Sequence, residues 1–164
     1  MRVFLVVLAM LGLFGLASCS KFKTYDGPEV TRVLVYKEAR VMYLMHHDTA
    51  LASYPINLGF APNGDKVRRN DGKTPEGSYS INRKNPDSSY HLSLGISYPD
   101  DEDRKSAREA GDDPGGDIFI HGGPTERRDR GKADWTAGCI AVTNREIEDI
   151  YAMVKVGTPI EIYP

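Results

Sequence analysis

Apolar and polar residues alternate at strand spacing along most of this chain. Seven short runs, each bounded by turn-forming residues, predict strands at residues 30–36, 40–45, 78–81, 90–96, 117–121, 140–142 and 158–163. In the fourth run, His91, Ser93 and Gly95 alternate with apolar residues, which predicts a half-buried strand. Only three residues separate the first two runs, so these runs are expected to form a hairpin.

Two stretches have helical character instead. Residues 100–110 carry acids early, bases later and Gly111 behind them, which predicts a short polar surface helix. Thr143 and Glu146 have the spacing of a capping box. The apolar residues after this box recur at i, i+3, i+4 and i+7, and they are Ile147, Ile150, Tyr151 and Val154. This stripe predicts an amphipathic helix that packs on the sheet.

Composition is typical of one globular domain. The chain has 164 residues, of which 40% are hydrophobic, enough for an ordinary core without disulfide support. Its 21 Lys and Arg residues nearly balance 23 Asp and Glu residues, so no strong field attracts nucleic acid, and we expect no nucleic-acid partner. The sequence therefore predicts a mainly β fold with one amphipathic helix and one short polar helix.

The N-terminus has the pattern of a secretion signal. Arg2 precedes an apolar run over residues 3–17, shorter than the ~18 residues of a membrane span, and the chain turns polar from Ser20. The ending Leu-Ala-Ser-Cys at residues 16–19 resembles the bacterial lipobox, in which the cysteine becomes the lipid-modified first residue. On that resemblance Cys19 is the lipid attachment site. A transmembrane anchor and an ordinary soluble secreted protein are the alternatives.

This interpretation divides the chain into three parts. Residues 1–18 are the signal peptide, residues 19–29 a lipid-anchored linker, and residues 30–164 the folded domain. Because Ser20 and not aspartate follows the cysteine, the resemblance implies the periplasmic side of a Gram-negative outer membrane.

Cys139 is left unpaired if Cys19 carries lipid. It follows Gly138 and precedes an apolar run, whereas His121 ends the preceding strand and is followed by Gly122. If these strands are neighbours, the thiol and the imidazole lie at the same end of the sheet, where the imidazole can activate the thiol as a nucleophile. Amides near Gly138 can then face a developing oxyanion. A buried, unreactive cysteine is the alternative.

The segment IHGGPTERRDRGKADWTAGCIAV resembles the signature of the L,D-transpeptidase catalytic domain of YkuD type. In that family a His-Gly pair is followed, after a loop of similar length, by Ser or Thr, any residue, Gly and Cys. The turn-rich loop that leads to Thr-Pro-Glu-Gly at residues 74–77 resembles the same family. The similarity covers nearly all of residues 30–164, and it implies a β-sandwich catalytic domain.

The resemblance also implies roles for the matching residues. Cys139 matches the nucleophile that forms a thioacyl-enzyme, and His121 matches its base. The residues assigned to the oxyanion site and the pocket are Gly138, Thr136, Gly122 and Trp135. The implied substrates are peptidoglycan stem peptides, and neither a metal nor an organic cofactor is implied. Core packing is the alternative for Trp135.

Two departures from the family pattern leave the reaction open. Ala137 stands where many members have a second histidine, and Ala141 stands where many have Arg or Asn. The first leaves His121 as the base, and the second removes a partner for the substrate. A transpeptidase is the first hypothesis. A hydrolase that cleaves peptidoglycan cross-links or protein links is the alternative, and a non-catalytic peptidoglycan-binding module is the third.

Three further polar clusters have competing interpretations. The run His46-His47-Asp48 contains metal-ligand types, but adjacent residues of an extended chain point to opposite faces, which favours a solvated hairpin tip. His91 either approaches the active site or satisfies a buried backbone group. The basic loop between His121 and Cys139 is either a lid over an acidic stem peptide or a solvated loop, and it contains Arg127, Arg128, Arg130 and Lys132.

Overall fold

A computed structural model describes residues 20–164, so the predicted signal peptide and Cys19 lie outside the described residues. The described chain contains eight strands and two α-helices, which confirms the mainly β prediction. The strands are β1 (Arg32–Tyr36), β2 (Val41–His46), β3 (Thr49–Pro55), β4 (Gly77–Asn85), β5 (Ser93–Ile96), β6 (Phe119–His121), β7 (Ile140–Ala141) and β8 (Pro159–Tyr163). The helices are α1 (Asp101–Ala110) and α2 (Asn144–Met153).

One curled sheet contains all of these strands, in the order β3-β2-β1-β8-β4-β5-β6-β7. β1 and β2 form the predicted antiparallel hairpin. β8 lies between β1 and β4, parallel to the former and antiparallel to the latter. The chain after β3 returns to the far end of the order, where Asn57 bridges Ala141 and Gly59 bridges Thr136. The predicted sandwich is thus a single sheet that curls back on itself.

Burial follows strand alternation at most positions but not in β5. Alternate residues of β1 and β8 are buried. All of Ser93–Ile96 is buried, so the prediction of a half-buried strand is wrong. The reason is position: β5 lies inside the sheet between β4 and β6, and α2 packs against it. A strand covered on both faces loses the solvent side that alternation assumes.

Both helices begin and end where the sequence predicts. Asp100 and Asp103 form a capping box at α1, and Gly111 ends that helix in the left-handed conformation at φ 75°. At α2, the Thr143 side chain accepts from the Glu146 amide and the Glu146 carboxylate accepts from the Thr143 amide. The apolar face of α2 is buried as expected. No helix within residues 20–164 is long and apolar enough to span a membrane.

One strand, β3, has no counterpart in the sequence analysis. It pairs antiparallel with β2 and lies at the end of the strand order, where most of its residues are exposed or only partly buried. An edge strand of this kind lacks the apolar alternation that identifies strands in a sequence. The turn between β2 and β3 contains His47 and Asp48, which are exposed, as predicted for a hairpin tip.

Candidate active site

The fold brings His121 and Cys139 into one cavity. β6 and β7 are parallel neighbours in which His121 pairs with Ala141. Cys139 lies two positions before Ala141 and is therefore at the same end of the sheet as His121. Both side chains line a cavity of about 280 Å³. The other walls come from the end of β4 and the loop after it, from β5, and from β6 and the segment before it. They include Asn85, Ser88, Ser89, Tyr90, Ser93, Asp117 and Phe119.

The His121 ring is held in one tautomer. Its Nδ1 lies 2.6 Å from the carbonyl oxygen of Gly122, and a carbonyl can only accept, so Nδ1 carries the proton. Nε2 is therefore the basic nitrogen. The residue is only 3% exposed, and burial lowers the pKa of His121, with the Gly122 carbonyl opposing this shift. A neutral imidazole at neutral pH is the form that can accept a proton.

Two aromatic rings fix the orientation of this imidazole. The Tyr90 ring lies 4.4 Å from the His121 ring at a tilt of 31°, and the Trp135 ring lies 5.6 Å away in an edge contact. Tyr90 and Trp135 also contact each other. Trp135, predicted as a pocket wall, therefore packs on the His121 ring but is not among the residues that line the cavity. Tyr90 was not predicted as a site residue, because only the turn before β5 brings it across the sheet to His121.

Cys139 is a free cysteine, and the residue as a whole is partly exposed. Its Sγ lies 3.6 Å from the carbonyl oxygen of Asp117, and no hydrogen bond joins it to His121 among the residues described. Burial of the sulfur raises the pKa of Cys139 to about 11. The pair therefore rests as a neutral thiol and a neutral imidazole, not as a thiolate with an imidazolium.

Thr136 organises the turn that presents the thiol. Its hydroxyl accepts a hydrogen bond from the Gly138 amide at 3.1 Å and donates one to the Cys139 carbonyl at 2.7 Å. Gly138 has φ 138°, and a Cβ at this position would lie 2.7 Å from the Lys73 carbonyl oxygen, so only glycine fits. Since the Gly138 amide is occupied, the Cys139 amide is the donor left for an oxyanion.

An ion pair supports the other end of this turn. Asp134 accepts hydrogen bonds from the Arg40 guanidinium at 2.8 and 3.1 Å and from the Leu58 amide at 2.9 Å. The Asp134 amide in turn donates to the Asn57 side chain at 3.1 Å. The turn is thereby fixed to β2 and to the segment after β3. Sequence reasoning missed this support because Arg40 and Asp134 are 94 residues apart.

A second, smaller cavity of about 140 Å³ also has Cys139 in its lining. Lys66 and Ala137 are among its other lining residues. The Lys66 ammonium is buried and already paired with Asp71 at 2.8 Å. Asp117 lines both cavities and has φ 56°, an unusual value for a residue other than glycine.

Other predicted residues lie outside the site. His91 does not line the cavity with Cys139, and its Nε2 lies 2.8 Å from a carboxylate oxygen of Glu148 on α2. Ala141 is 1% exposed, so this position holds a core residue. No cluster of three metal-binding side chains occurs within residues 20–164.

The basic loop lies away from the cavity as well. A 3₁₀ turn spans Arg127–Asp129, and Arg128 pairs with Glu126 at 2.7 Å. Lys132 lies 3.6 Å from Asp129. None of these residues lines the cavity that contains His121 and Cys139. The solvated-loop interpretation therefore fits the described geometry better than a closed lid.

Comparison with known proteins identifies relatives of this chain. The sequence profile of the L,D-transpeptidase catalytic domain, YkuD, matches residues 30–162. YafK of Escherichia coli K12, which carries a provisional L,D-transpeptidase name, is 30% identical over an alignment of 190 residues that covers 100% of this chain and 71% of YafK.

Solved structures have the same fold. Pgp2 of Campylobacter jejuni, a helical cell shape determining protein, superposes with a TM-score of 0.63 at 26% identity, covering 84% of this chain and 49% of Pgp2. An L,D-transpeptidase of Mycobacterium smegmatis superposes with a TM-score of 0.55 at 16% identity, covering 82% of this chain and 59% of that one. The chain thus spans about half the length of Pgp2. From the profile match and the fold together, this chain belongs to the L,D-transpeptidase catalytic domain family.

Proposed function

We propose that this protein modifies peptidoglycan as a cysteine acyltransferase that acts on stem peptides. The observation that carries the proposal is the shared cavity of about 280 Å³, in which Cys139 and His121 meet from neighbouring parallel strands. Family membership and the resemblance of the chain to Pgp2, a cell shape protein, support the cell wall as its place of action.

The first half of the reaction acylates Cys139. As a stem peptide enters, the thiol turns from the Asp117 carbonyl towards His121 and transfers its proton to Nε2. The sulfur then bonds to the peptide carbonyl carbon, and the Cys139 amide donates to the oxyanion. When the C–N bond breaks, the imidazolium returns the proton to the leaving amine. The products are a thioacyl-enzyme that carries the shortened stem and the released C-terminal fragment with its free amine.

The second half depends on the acceptor. An amine or a water molecule gives a proton to Nε2, attacks the thioester carbonyl, and the C–S bond breaks to restore the Cys139 thiol. An amine acceptor makes a new peptide bond, and water completes a hydrolysis. The resting neutral pair suits both outcomes, because His121 must be unprotonated at the start of each half.

Hydrolysis is the second candidate, and the smaller cavity favours it. About 140 Å³ beside Cys139 is large enough for a few water molecules, each of which occupies ~30 Å³ in the liquid. Ala137 lines this cavity with a methyl group, which takes up less space than a histidine ring would. In this scheme water reaches the thioester from the smaller cavity.

Product masses separate these candidates. The mature chain is incubated with defined muropeptides in heavy-oxygen water, with Cys139→Ala as the matched control. A transpeptidase gives joined or exchanged stems without label, whereas a hydrolase gives shortened stems whose new carboxylate is labelled. Unchanged muropeptides, with binding retained, would leave only the non-catalytic module.

We also propose that Cys19 carries lipid and holds the domain at the periplasmic face of an outer membrane. The lipobox-like ending at residues 16–19 supports this proposal. Cys19→Ala is expected to release the protein from the membrane fraction and to remove the lipid mass from the N-terminal peptide. The same fractionation and peptide mass in the variant and the native protein would contradict the anchor.

A further inference from the structure

The segment predicted as a linker makes specific contacts with one wall of the catalytic cavity. The Lys21 ammonium donates to the carbonyl oxygen of Pro86 at 2.6 Å and to that of His91 at 3.2 Å. These two carbonyls flank the loop that contributes Ser88, Ser89 and Tyr90 to the cavity. One side chain from the N-terminal segment therefore ties together both ends of this loop, which we call the wall loop (residues 86–91).

Within the wall loop itself, the hydrogen bonds are short-range. The Asp87 amide donates to the Asn85 side chain at 3.0 Å, and the Tyr90 amide donates to the Ser88 hydroxyl at 3.1 Å. Bonds between residues two apart shape a turn but do not hold it against the rest of the protein. The Lys21 contacts, which span 65 and 70 residues, attach both ends of the loop to the N-terminal segment. At the His91 end they add to the bond from the Gly122 amide to the Tyr90 carbonyl and to the contact of the His91 ring with Glu148.

The end of the wall loop is a strained turn beside the catalytic base. His91 has φ 75°, and the Leu92 amide donates to the Tyr90 carbonyl at 3.0 Å, the geometry of a γ-turn. The Gly122 amide donates to the same Tyr90 carbonyl at 3.1 Å. This turn places the Tyr90 ring 4.4 Å from the His121 ring. A strained conformation persists only where its surroundings hold it, and Lys21 binds the His91 carbonyl.

Neighbouring contacts keep the N-terminal segment in place. Lys23 pairs with Asp149 at 2.8 Å and with Glu148 at 3.4 Å, both on α2. Glu148 also bonds the His91 ring. Phe22 packs on Tyr151 with ring centroids 6.3 Å apart. The segment that delivers Lys21 is thus attached to the helix that packs against the cavity's strands.

We propose that Lys21 is a positioning residue of the active site, which fixes the wall loop and, through Tyr90, the orientation of His121. The N-terminal segment is then part of the cavity wall and not only a tether. The role in substrate binding rests on the proposed function, whereas the attachment of the loop does not. Loss of the ammonium frees the Pro86 end of the loop and removes one of the attachments at the His91 end, so the pocket that receives the stem peptide becomes less well ordered.

The test compares three variants of the full-length chain. Lys21→Met removes the ammonium, Lys21→Arg keeps a cation that can donate to two carbonyls, and Lys155→Met is the matched control. Lys155 contacts the same N-terminal segment, through Glu29 at 2.7 Å, but not the wall loop. Amide hydrogen exchange is measured for residues 86–92, together with KM and kcat for a stem-peptide substrate.

We expect Lys21→Met to speed exchange in residues 86–92 about ten-fold, because a charge-assisted attachment of the loop is lost. KM should rise by a similar factor, with a smaller fall in kcat. Lys21→Arg should restore both, and Lys155→Met should change neither. Unchanged exchange in Lys21→Met, or an equal rise in Lys155→Met, would overturn the proposal.

The two proposals fail in different ways. Faster loop exchange in Lys21→Met with an unchanged KM would overturn the role of Lys21 in the substrate pocket. Faster loop exchange in a protein whose native form processes no stem peptide would remove the proposed function and support Lys21 as the residue that holds the loop.

Discussion

Replacing Thr136 with valine keeps the size of the side chain and removes the hydroxyl that organises the turn before the nucleophile. That hydroxyl accepts from the Gly138 amide at 3.1 Å and donates to the Cys139 carbonyl at 2.7 Å. Thr136 is 5% exposed, so water cannot simply replace the lost group. The substitution therefore leaves one donor and one acceptor without their protein partner.

The cost follows from the burial of those two groups. A buried polar group without a partner destabilises a protein by ~1–3 kcal/mol. Gly138 is buried and should bear this cost in full, whereas Cys139 is only partly buried, so the cost at its carbonyl should be smaller. We therefore expect Thr136→Val to lower the free energy of unfolding by ~1–3 kcal/mol, not twice that amount. Thr136→Ser keeps the hydroxyl and should lose less, by about 1 kcal/mol for the missing methyl group.

Urea unfolding gives the stability of each variant, and acylation of Cys139 by an inhibitor gives the geometry of the turn. Misplacement of the Cys139 amide in Thr136→Val should slow acylation by at least ~10-fold, since one oxyanion donor is worth that much or more. Thr136→Ser should stay near the native rate. The hydroxyl does not hold the turn if the free energy of unfolding of Thr136→Val lies within ~0.5 kcal/mol of the native value and its Cys139 is acylated at the native rate.

Three further predictions concern the core, the thiol and the acid limit. Ile150 on α2 is fully buried, so Ile150→Asn should lower the free energy of unfolding by ~2–4 kcal/mol in urea titration, and a surface-like value would contradict the packing of α2. Because the pKa of Cys139 is raised to about 11, its alkylation rate should keep climbing with pH beyond pH 9, and a plateau near neutral pH would contradict the buried thiol. Burial opposes ionisation of Asp71, but hydrogen bonds from Lys66 and nearby amides outweigh it and hold the pKa of Asp71 at about 2. Because the pKa of Asp71 is lower in the folded than in the unfolded protein, its ionisation stabilises the fold above pH ~4, and this stabilisation is lost as the pH falls towards about 2. In Asp71→Asn, the free energy of unfolding should therefore depend less on pH in this range.

Features encoded by neighbouring residues could be predicted from the sequence. The capping box of Thr143 and Glu146, the stripe of α2 and the β1–β2 hairpin depend on spacing within a few residues, and the structure has all of them. The meeting of His121 and Cys139 was predictable for a related reason. Each residue lies at the end of a recognisable strand, and only the pairing of two strands had to be inferred.

Features that depend on long-range placement could not be predicted. Ser93 is buried together with the rest of β5, and this burial depends on which elements lie around the strand. β3 shows little alternation because it lies at an edge of the sheet. The stack of Tyr90 on His121 and the bond from Lys21 to Pro86 join residues 31 and 65 positions apart in the chain. No pattern within a few residues of either partner marks such a pair, because the contact forms only when distant parts of the chain fold together.

The most direct test of the central claim is the mass of the peptide that contains Cys139 after reaction with a carbapenem. The family resemblance implies that such a β-lactam acylates the nucleophile, and ring opening keeps the whole inhibitor on the enzyme. We predict one inhibitor mass per chain, located on Cys139, about 10²–10⁴-fold slower formation in His121→Ala, and none in Cys139→Ala. An adduct on another residue, or a Cys139→Ala protein that still processes muropeptides, would contradict Cys139 as the nucleophile.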